Sequence, residues 1–387
     1  MNILIISKNY YPSTIPDSKR FTGISEYFVK QGHNVYIITE TNDAVTEYSK
    51  LKIIKTSKKR EDSKGMIDRF FNHFSFMFQS MRKGKKLFEI DVIIATSPPL
   101  FNLVTGAYLK RKLDAKFVVD LRDIWPDVFV QTGVMTKKNP VYLFFDIVAK
   151  YCYKKADSIV VVTKGKKKLI DMKFPEYTDK VSYLSNGFNL NITEYTDIVE
   201  IKNIFDGFFN VIYTGKIGMA QDIKSFVDLA NHYRTNNKIK FHIMGSGKDK
   251  DIMLSYIESK KLDNIIYHGY LSEHEVITAL NCSQISYVSL ANKELIDSVP
   301  TKIYESLVCG CPILLSAVGD SVDLVLHSKF GRASDPGDFE KLCSNFQFMY
   351  DNHYEYMKRK KQVRDRMISE YSRDVIAEMY QELINVL

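Results

Sequence analysis

The chain has 387 residues, of which 45% are hydrophobic and 26% are charged. This composition is globular, the length predicts two or three domains, and no apolar run approaches the roughly 18 residues that a bilayer-spanning helix needs. The net charge of +8 is uneven, since residues 1–190 carry +13 and residues 191–387 carry −5. The basic half is therefore expected to meet membrane lipid, a phosphorylated substrate or nucleic acid, unless its lysines serve solubility alone.

The first half of the chain alternates short apolar strands with helical patterns, which predicts a doubly wound parallel sheet. Such a sheet binds ligands beyond the carboxyl ends of its strands. The turn SNGFN at residues 185–189 coincides with the change in charge, so a domain boundary is predicted there. The predicted strands span residues 2–7, 35–39, 51–55, 91–96, 117–120, 158–163 and 181–184.

Residues 57–86 combine aromatic side chains with basic clusters at residues 58–60 and 82–86. This pattern is typical of an amphipathic helix that lies on an anionic membrane. The alternative is a core helix with solvated basic ends. The apolar residues at helical spacing are Phe70, Phe71, Phe74, Met77, Phe78 and Met81.

The strand predicted at residues 117–120 runs into LRDIWPD, which contains the single tryptophan of the chain. Arg122, Asp123 and Trp125 then stand at the carboxyl end of a strand, which indicates a binding or catalytic site. A structural arginine–aspartate pair is the competing interpretation.

The second half repeats the alternation of strands and helices. Two turns, Gly215-Lys216-Ile217-Gly218 and Gly245-Ser246-Gly247, each follow a strand and precede a helix, which favours approach of the backbone to a phosphate. Each turn alone is a weak signal, because neither completes a dinucleotide or Walker motif. The sequence Asp249-Lys250-Asp251 resembles a metal-binding pair, but acidic residues are favoured at a helix start anyway. No metal is predicted, and the five cysteines are expected to be buried thiols in a reducing cytosol.

Residues 297–316, DSVPTKIYESLVCGCPILLS, predict a short helix that begins after Pro300 and ends at Gly310. A helix start suits a phosphate, and Lys302 adds a full charge there. Glu305, one turn further, could accept hydrogen bonds from a ribose diol. An ordinary Lys–Glu surface pair explains the spacing equally well. A helical wheel places Ile303, Tyr304, Leu307 and Val308 inward and Thr301, Lys302, Glu305 and Ser306 outward.

Together these motifs resemble glycosyltransferase family 4, retaining enzymes of the GT-B fold, over nearly the whole chain. GHNVYIIT resembles the family's GHxVxVIT strand, SNGFN its NGVD segment, GSG its GxG turn and GRASDPGD its GxxVxPGD segment. The most specific match is Asp297 and Glu305 followed by GCPIL, where the family carries two glutamates separated by seven residues and then GxPVI. DLRDIWPD and SVPTKIYE are similar to a bacterial subgroup that builds O-antigen and capsule, including N-acetylfucosamine-type transferases.

The resemblance implies an α/β fold of two Rossmann-like, doubly wound domains that face each other across a cleft. Residues 1–189 would bind the acceptor and residues 190–371 the nucleotide-sugar. The helix at residues 372–387 would return to the first domain.

For the donor, the resemblance implies that Glu305 holds the ribose hydroxyls and that Asp297 contacts the sugar. Lys216 fits the family's first phosphate-binding position, but residues 220–222, Ala-Gln-Asp, fill the place of its second lysine. Lys302 is therefore expected to supply the missing charge. The predicted donor-site residues are Gly215, Lys216, Gly218, Gly245, Gly247, Tyr270, Leu271, Ser298, Pro300, Thr301, Lys302 and Glu305.

For the acceptor, Asp123 is expected to bind the attacking hydroxyl or to assist its deprotonation. Arg20 is expected to face an anionic acceptor, and Arg122 and Trp125 complete the predicted acceptor site. The predicted catalytic residues are Asp123, Lys216, Lys302 and Asp297.

The expected activity is retaining transfer of a sugar from a nucleotide-sugar, UDP-linked, to a lipid pyrophosphate-linked glycan of bacterial O-antigen or capsule. No cofactor, metal or nucleic acid is expected. The enzyme would work in the cytoplasm, held peripherally on the inner face of the membrane by residues 57–86. Two alternatives stay open: a UDP-sugar 2-epimerase on the same fold, and an inactive partner subunit of a two-chain glycosyltransferase.

Overall fold

The computed structural model describes residues 1–13, 16–41, 48–57, 66–193, 197–218 and 220–387. These residues form two compact units, which are unit 1 (Met1–Asn189 with Arg373–Leu387) and unit 2 (Leu190–Ser372). Each unit is built on one parallel sheet flanked by helices. The predicted class, two Rossmann-like α/β domains, is confirmed.

Seven strands form the sheet of unit 1: β1 (Asn2–Ile6), β2 (Asn34–Thr39), β3 (Leu51–Lys55), β4 (Val92–Ser97), β5 (Lys116–Leu121), β6 (Ser158–Val161) and β7 (Val181–Tyr183). Their order across the sheet is β3-β2-β1-β4-β5-β6-β7, and every neighbouring pair is parallel. The carboxyl ends of these strands therefore meet at one edge, as a doubly wound sheet requires.

The helices of unit 1 cover both faces of this sheet. Ile3 and Ile5 of β1 pack into a core with the first and last helices of the unit, while Leu4 and Ile6 pack on the opposite face. Successive strand residues point to opposite faces, so the apolar run of β1 supplies both cores. The helices are α1 (Pro16–Lys30), α2 (Met66–Gly84), α3 (Leu100–Leu113), α4 (Asp127–Gln131), α5 (Pro140–Lys155), α6 (Lys164–Lys173) and, after unit 2, α15 (Arg373–Asn385).

Unit 2 has the strands β8 (Phe209–Thr214), β9 (Ile239–Met244), β10 (Ile265–Gly269), β11 (Ile285–Ser289), β12 (Ile313–Ser316) and β13 (Gly331–Ser334). Their order is β10-β9-β8-β11-β12-β13, and all pairs are parallel. The helices are α7 (Val199–Phe205), α8 (Ile223–His232), α9 (Lys250–Lys260), α10 (Glu273–Cys282), α11 (Thr301–Val308), α12 (Asp320–Ser328), α13 (Phe339–Asp351) and α14 (His353–Tyr371).

Three elements carry little local signal in the sequence. Strand β13 has the sequence GRAS, whose small and polar residues carry no strand signal, yet it pairs along its whole length with β12. Helix α4 is only five residues long. Helices α13 and α14 are separated at Asn352, with no glycine or proline to mark the break.

Candidate active site

Helix α11 presents the faces that the helical wheel predicts, with one exception. Ile303, Tyr304, Leu307 and Val308 are buried, whereas Thr301, Lys302 and Glu305 are half-buried. The exception is Ser306, which is buried and shares a hydrogen bond of 2.8 Å with the hydroxyl of Ser286 on β11. The helix therefore packs one face against the sheet and turns Lys302 and Glu305 toward solvent.

The Lys302 side chain extends from the first turn of α11 across the turn that follows β8. Its Nζ donates a hydrogen bond of 2.9 Å to Oε1 of Gln221 and lies 4.5 Å from the centroid of the Tyr213 ring. A Cβ atom added to Gly215 would lie 3.4 Å from the same Nζ. The ammonium group thus stands beside Gln221, in the segment where the family's second lysine is missing.

The electrostatic setting of Lys302 is unusual for a surface lysine. Burial lowers the pKa of its ammonium group to about 8, and the nearby Glu305 carboxylate opposes this shift. The described groups in hydrogen-bond or ring contact with Nζ are the Gln221 amide and the Tyr213 ring, both neutral. A half-desolvated ammonium held by neutral groups gains more from an arriving anion than a solvated lysine does.

The two glycine turns pack against each other, backbone to backbone. The amide of Gly215 donates to Met244 (2.8 Å), and the amide of Ile217 donates to Ser246 (3.0 Å). A Cβ at Gly245 would lie 1.8 Å from the carbonyl oxygen of Gly215, and Gly245 has a φ of +151°. The structure therefore gives this glycine a packing reason that the sequence did not reveal, beside the predicted approach of a phosphate.

The other predicted donor residues lie at the same carboxyl edge of the unit 2 sheet. Lys216 is exposed, Gly218 is half-buried, and the carbonyl of Lys216 accepts a hydrogen bond from the Tyr213 hydroxyl (2.6 Å). Tyr270 is exposed and Leu271 half-buried just beyond β10. The chain enters α11 through Ser298, Pro300 and Thr301, and the carbonyl of Ser298 accepts a hydrogen bond from the Ser321 hydroxyl. Gly247 lies on the second glycine turn.

Asp297 is the predicted donor residue that the structure supports least. Only 2% of it is exposed, although it directly precedes the open start of α11. A carboxylate this deeply buried offers little surface to a sugar, so the structure does not favour the predicted contact.

Arg20 lies in the interior of unit 1, which corrects the prediction that it faces an acceptor. Its guanidinium forms an ion pair with Asp120 (3.0 Å) and donates to the carbonyl oxygens of Leu184 (3.1 Å) and Ser185. The hydroxyl of Tyr380, on α15, donates to the same Asp120 carboxylate. Only 1% of Arg20 is exposed, so its charge is fully used within the fold.

Arg122, Asp123 and Trp125 do lie at the carboxyl end of β5, where they are half-buried. Arg122 donates long hydrogen bonds of 3.4 Å to the Thr96 hydroxyl and the Pro98 carbonyl, so part of its role is structural. Trp125 packs edge-on against Phe129 and Phe145. The structure brings these three residues together at one strand end, while Arg20 is buried behind Asp120 of the same strand.

Several residues that shape these sites were missed by the sequence analysis. Asp120 carried a signal, because a lone carboxylate inside the apolar strand KFVVDL requires a buried partner. The sequence identifies Gln221 only as one of the residues in place of a lysine. Nothing in the sequence of its strand distinguishes Tyr213 as a site residue.

Among the described residues, no group of three or more His, Cys, Asp or Glu side chains could hold a metal ion. Within the same part of the chain, no helix is both long and apolar enough to cross a bilayer.

Comparison with known proteins identifies this arrangement. Residues 19–192 match the family model described as Glycosyltransferase Family 4, and residues 194–366 match the model described as Glycosyl transferases group 1. Each half of the chain therefore matches a glycosyltransferase family, family 4 in the first half and group 1 in the second. The family 4 match covers most of unit 1, and the group 1 match covers the whole β8–β13 sheet.

Relatives of this chain include the probable glycosyltransferase WbjE of Pseudomonas aeruginosa, 24% identical over 277 residues. That match covers 68% of this chain and 65% of WbjE. The uncharacterised glycosyltransferase MJ1069 of Methanocaldococcus jannaschii is 24% identical over 269 residues, which are 67% of this chain and 66% of the relative. The chain thus spans slightly less than two thirds of the length of these two curated relatives.

Solved structures of the same fold align with the whole chain. Anabaena HepE in complex with UDP aligns with a TM-score of 0.77 at 14% identity, over 100% of both chains. The sucrose-phosphate synthase of Thermosynechococcus elongatus aligns with a TM-score of 0.79 at 15% identity, also over 100% of both chains. These alignments support the GT-B fold predicted from the sequence.

Proposed function

We propose that this protein transfers a sugar from a nucleoside diphosphate sugar, UDP-linked, and retains the configuration at the sugar's anomeric carbon. The observation that carries the proposal is the placement of the Lys302 ammonium between Gln221, Tyr213 and Gly215 at the start of α11. A helix N-terminus and a fixed lysine together form an anion site that matches a diphosphate.

In the proposed reaction, these groups stabilise the departing nucleoside diphosphate. Lys302 and the α11 amides would bind the phosphate oxygens on which negative charge accumulates, and the exposed Lys216 would add a second charge. Glu305, one turn further along α11, would accept hydrogen bonds from the ribose. This arrangement needs no metal, because the protein's own charges neutralise the leaving group.

The choice of UDP is supported by the solved relatives. HepE has been crystallised with UDP, with UDP and glucose, and with UDP-glucose. Another protein of the same fold has been crystallised with UDP-2-fluoro glucose.

The proposed acceptor is a lipid pyrophosphate-linked glycan of a bacterial surface polysaccharide, O-antigen or capsule, elongated at the cytoplasmic face of the membrane. A structural relative, WaaG, is a glycosyltransferase involved in lipopolysaccharide biosynthesis. The charge of +13 on residues 1–190 suits an anionic acceptor and an anionic membrane. Asp123, with Arg122 and Trp125 beside it, would orient the acceptor hydroxyl. Residues 57–86 would hold the enzyme on the membrane.

The donor assignment is tested by thermal unfolding and calorimetry with UDP, GDP and dTDP. UDP should raise the melting temperature of the wild type and bind the Lys302→Ala variant at least about tenfold more weakly, the cost of one charge-assisted contact. Equal binding of all three nucleotides would remove the UDP assignment, and equal binding to the variant would remove Lys302 from the site.

The reaction is tested by incubating the enzyme with labelled UDP-sugars and bacterial membrane extract. Label in the lipid fraction supports glycosyl transfer to a lipid-linked acceptor. An epimerised nucleotide-sugar without lipid product identifies a 2-epimerase instead. No turnover, despite nucleotide binding, identifies a subunit that needs a catalytic partner.

A further inference from the structure

Helix α2 buries Phe76 and Met77 in the core but exposes its other phenylalanines. Phe70, Phe74 and Phe78 follow one another at intervals of four residues and are all exposed, while Asn72 and Ser80 are buried on the inner face. A helix that served only the core would bury its phenylalanines and expose its amide and hydroxyl groups. Of the apolar stripe predicted from the sequence, Phe70, Phe74 and Phe78 face outward, whereas Met77 is buried in the core. The basic cluster at residues 58–60 lies outside the described residues.

Helix α5 has a second apolar surface of the same kind, which the sequence analysis did not single out. Its inner face buries Tyr142, Phe145, Ala149, Cys152 and Tyr153 in the unit 1 core. A helix with large apolar side chains on both its inner and its outer face is normally covered on both faces. Yet the large apolar side chains of its outer face are exposed: Val141, Leu143, Phe144, Ile147 and Tyr151.

The two exposed surfaces are joined by a chain of aromatic contacts across α3. Phe78 of α2 packs against Phe74 with ring centroids 4.6 Å apart, and Phe74 packs against Phe101 at 6.0 Å. Phe101 continues to Phe145 at 6.2 Å, which in turn contacts the exposed Phe144 at 5.5 Å. Phe101 and Phe145 are buried, so the outer faces of α2 and α5 are linked through the core beneath them; their exposed residues are together called the α2–α5 surface.

The charges beside this surface select its partner. Exposed basic side chains follow both stripes, with Arg82 and Lys83 in the last turn of α2 and Lys150 and Lys154 on α5. The acidic Asp146 of α5 and Asp127 share the ammonium of Lys173 of α6, at 2.6 and 2.7 Å, which offsets part of their charge. Aromatic and aliphatic side chains with flanking cations match the interface of an anionic bilayer.

We propose that α5 is the second half of a membrane-docking surface, so that α2 and α5 insert together into an anionic lipid leaflet. This inference rests on the proposed function for the membrane as partner and extends the contact from residues 57–86 to α5. A second copy of the chain fits less well, because a symmetric dimer would place the cations of this surface against each other.

The test measures co-sedimentation with phosphatidylcholine vesicles, with and without phosphatidylglycerol. The wild type should bind only the anionic vesicles, and binding should weaken with salt. The double variant Phe144→Ser/Ile147→Ser should lose about tenfold or more in affinity, because each side chain withdraws apolar area from the bilayer. Ile252→Ser is the matched control: Ile252 is 71% exposed on α9 of unit 2, and its loss should change nothing.

The single tryptophan gives an independent reading of the same event. Trp125 packs at 6.0 Å from Phe145 on the inner side of α5. If the protein docks through α5, lipid binding should shift the emission of Trp125 and allow brominated lipid to quench it. If it docks through α2 alone, the α5 variants should still bind vesicles and should be quenched to the same extent as the wild type.

Three outcomes would overturn the inference. These are unchanged binding of the double variant, equal binding to neutral vesicles, and a dimer in sedimentation velocity that the double variant abolishes while vesicles go unbound. The double variant should keep the wild-type circular dichroism spectrum and UDP affinity, since both positions are exposed and lie in unit 1. If the wild type does not bind UDP, that result would instead count against the proposed donor site. Failure of the membrane inference and failure of the proposed function are therefore distinguishable.

Discussion

Each of the two sheets has a conspicuous cation at its carboxyl edge, and the two cations have opposite settings. In unit 1, Arg20 is buried against the Asp120 carboxylate and two backbone carbonyls. In unit 2, Lys302 is half-buried, and its ammonium contacts the neutral Gln221 amide and Tyr213 ring. The first cation is already neutralised by the fold, while the second keeps a charge that an anion can use.

This contrast separates structural charge from functional charge within one architecture. A buried ion pair contributes when it is complete and costs several kcal/mol when one partner is removed. A lysine whose pKa is lowered by burial, and whose ammonium contacts an uncharged amide and ring, destabilises the fold, and binding of an anion offsets that cost. Substitutions at the two positions should therefore affect different properties.

The largest expected effect is on stability, at the unit 1 pair. Arg20→Met should destabilise the protein by about 3–5 kcal/mol, because it leaves the Asp120 carboxylate buried without its cation. Urea unfolding measures this loss. The control is Lys224→Met, which breaks an exposed pair with Asp228 on α8 and should cost no more than about 0.5 kcal/mol. Equal losses in the two variants would mean that the Arg20 pair is not special.

The next effect is on turnover, at the unit 2 lysine. Lys302→Ala should lower sugar transfer by about ten- to a thousandfold, the range for removing one preorganised charge contact. Its stability should be unchanged or slightly higher, since a desolvated ammonium is removed. A variant that loses stability but keeps turnover would reverse the comparison between the two cations.

A double substitution sharpens the assignment of Lys302 as a substitute ligand. Lys302→Ala/Gln221→Lys moves the charge onto the neighbouring position that its hydrogen bond marks. The double variant should recover about tenfold in UDP affinity relative to Lys302→Ala, because an ammonium returns to the same region. Gln221→Lys alone should bind no better than the wild type, as two adjacent ammonium groups repel each other. Failure of the double variant to recover would show that position 302 is needed for its geometry.

The smallest expected effect is on pH dependence. The pKa of Lys302 is about 8 in the free protein, and a bound diphosphate should raise it. UDP affinity should therefore be constant below pH 8 and fall by up to about tenfold per pH unit above it, because binding then requires uptake of a proton. Calorimetry between pH 7 and pH 9 would measure this decline. Lys302→Arg, which stays charged, should show a flat profile.

The sequence predicted the alternating elements well because they carry strong local signals. Buried runs such as NILII and the proline and glycine that bound α11 depend on no distant residue. The sequence failed where the answer depends on distant partners. Arg20 faces inward because Asp120 lies opposite, a hundred positions further along the chain, and Ser306 is buried because Ser286 can bond to it. Strand β13 forms only because β12 offers an open edge.

The position of Lys302 could be predicted from the sequence because it depends on a local pattern. The missing lysine near Gln221 left a gap in a known pattern, and the lysine in the first turn of α11 was the nearest charge to fill it. The depth of burial of Lys302 and its contact with Tyr213 could not be predicted from the sequence, since they depend on how the turn after β8 packs. For the same reason the close packing of Gly245 on the Gly215 carbonyl carries no signal in the sequence.

The return of α15 to unit 1 has a consequence for how this protein is made on the ribosome. Tyr380 completes the polar cluster around Asp120, and Ile376 and Ala377 complete the core beside α1. The first 189 residues therefore leave the exit tunnel as an open sheet whose α1 face lacks one helix. That helix emerges only after all of unit 2 has been synthesised, so unit 1 begins to fold first and is finished last.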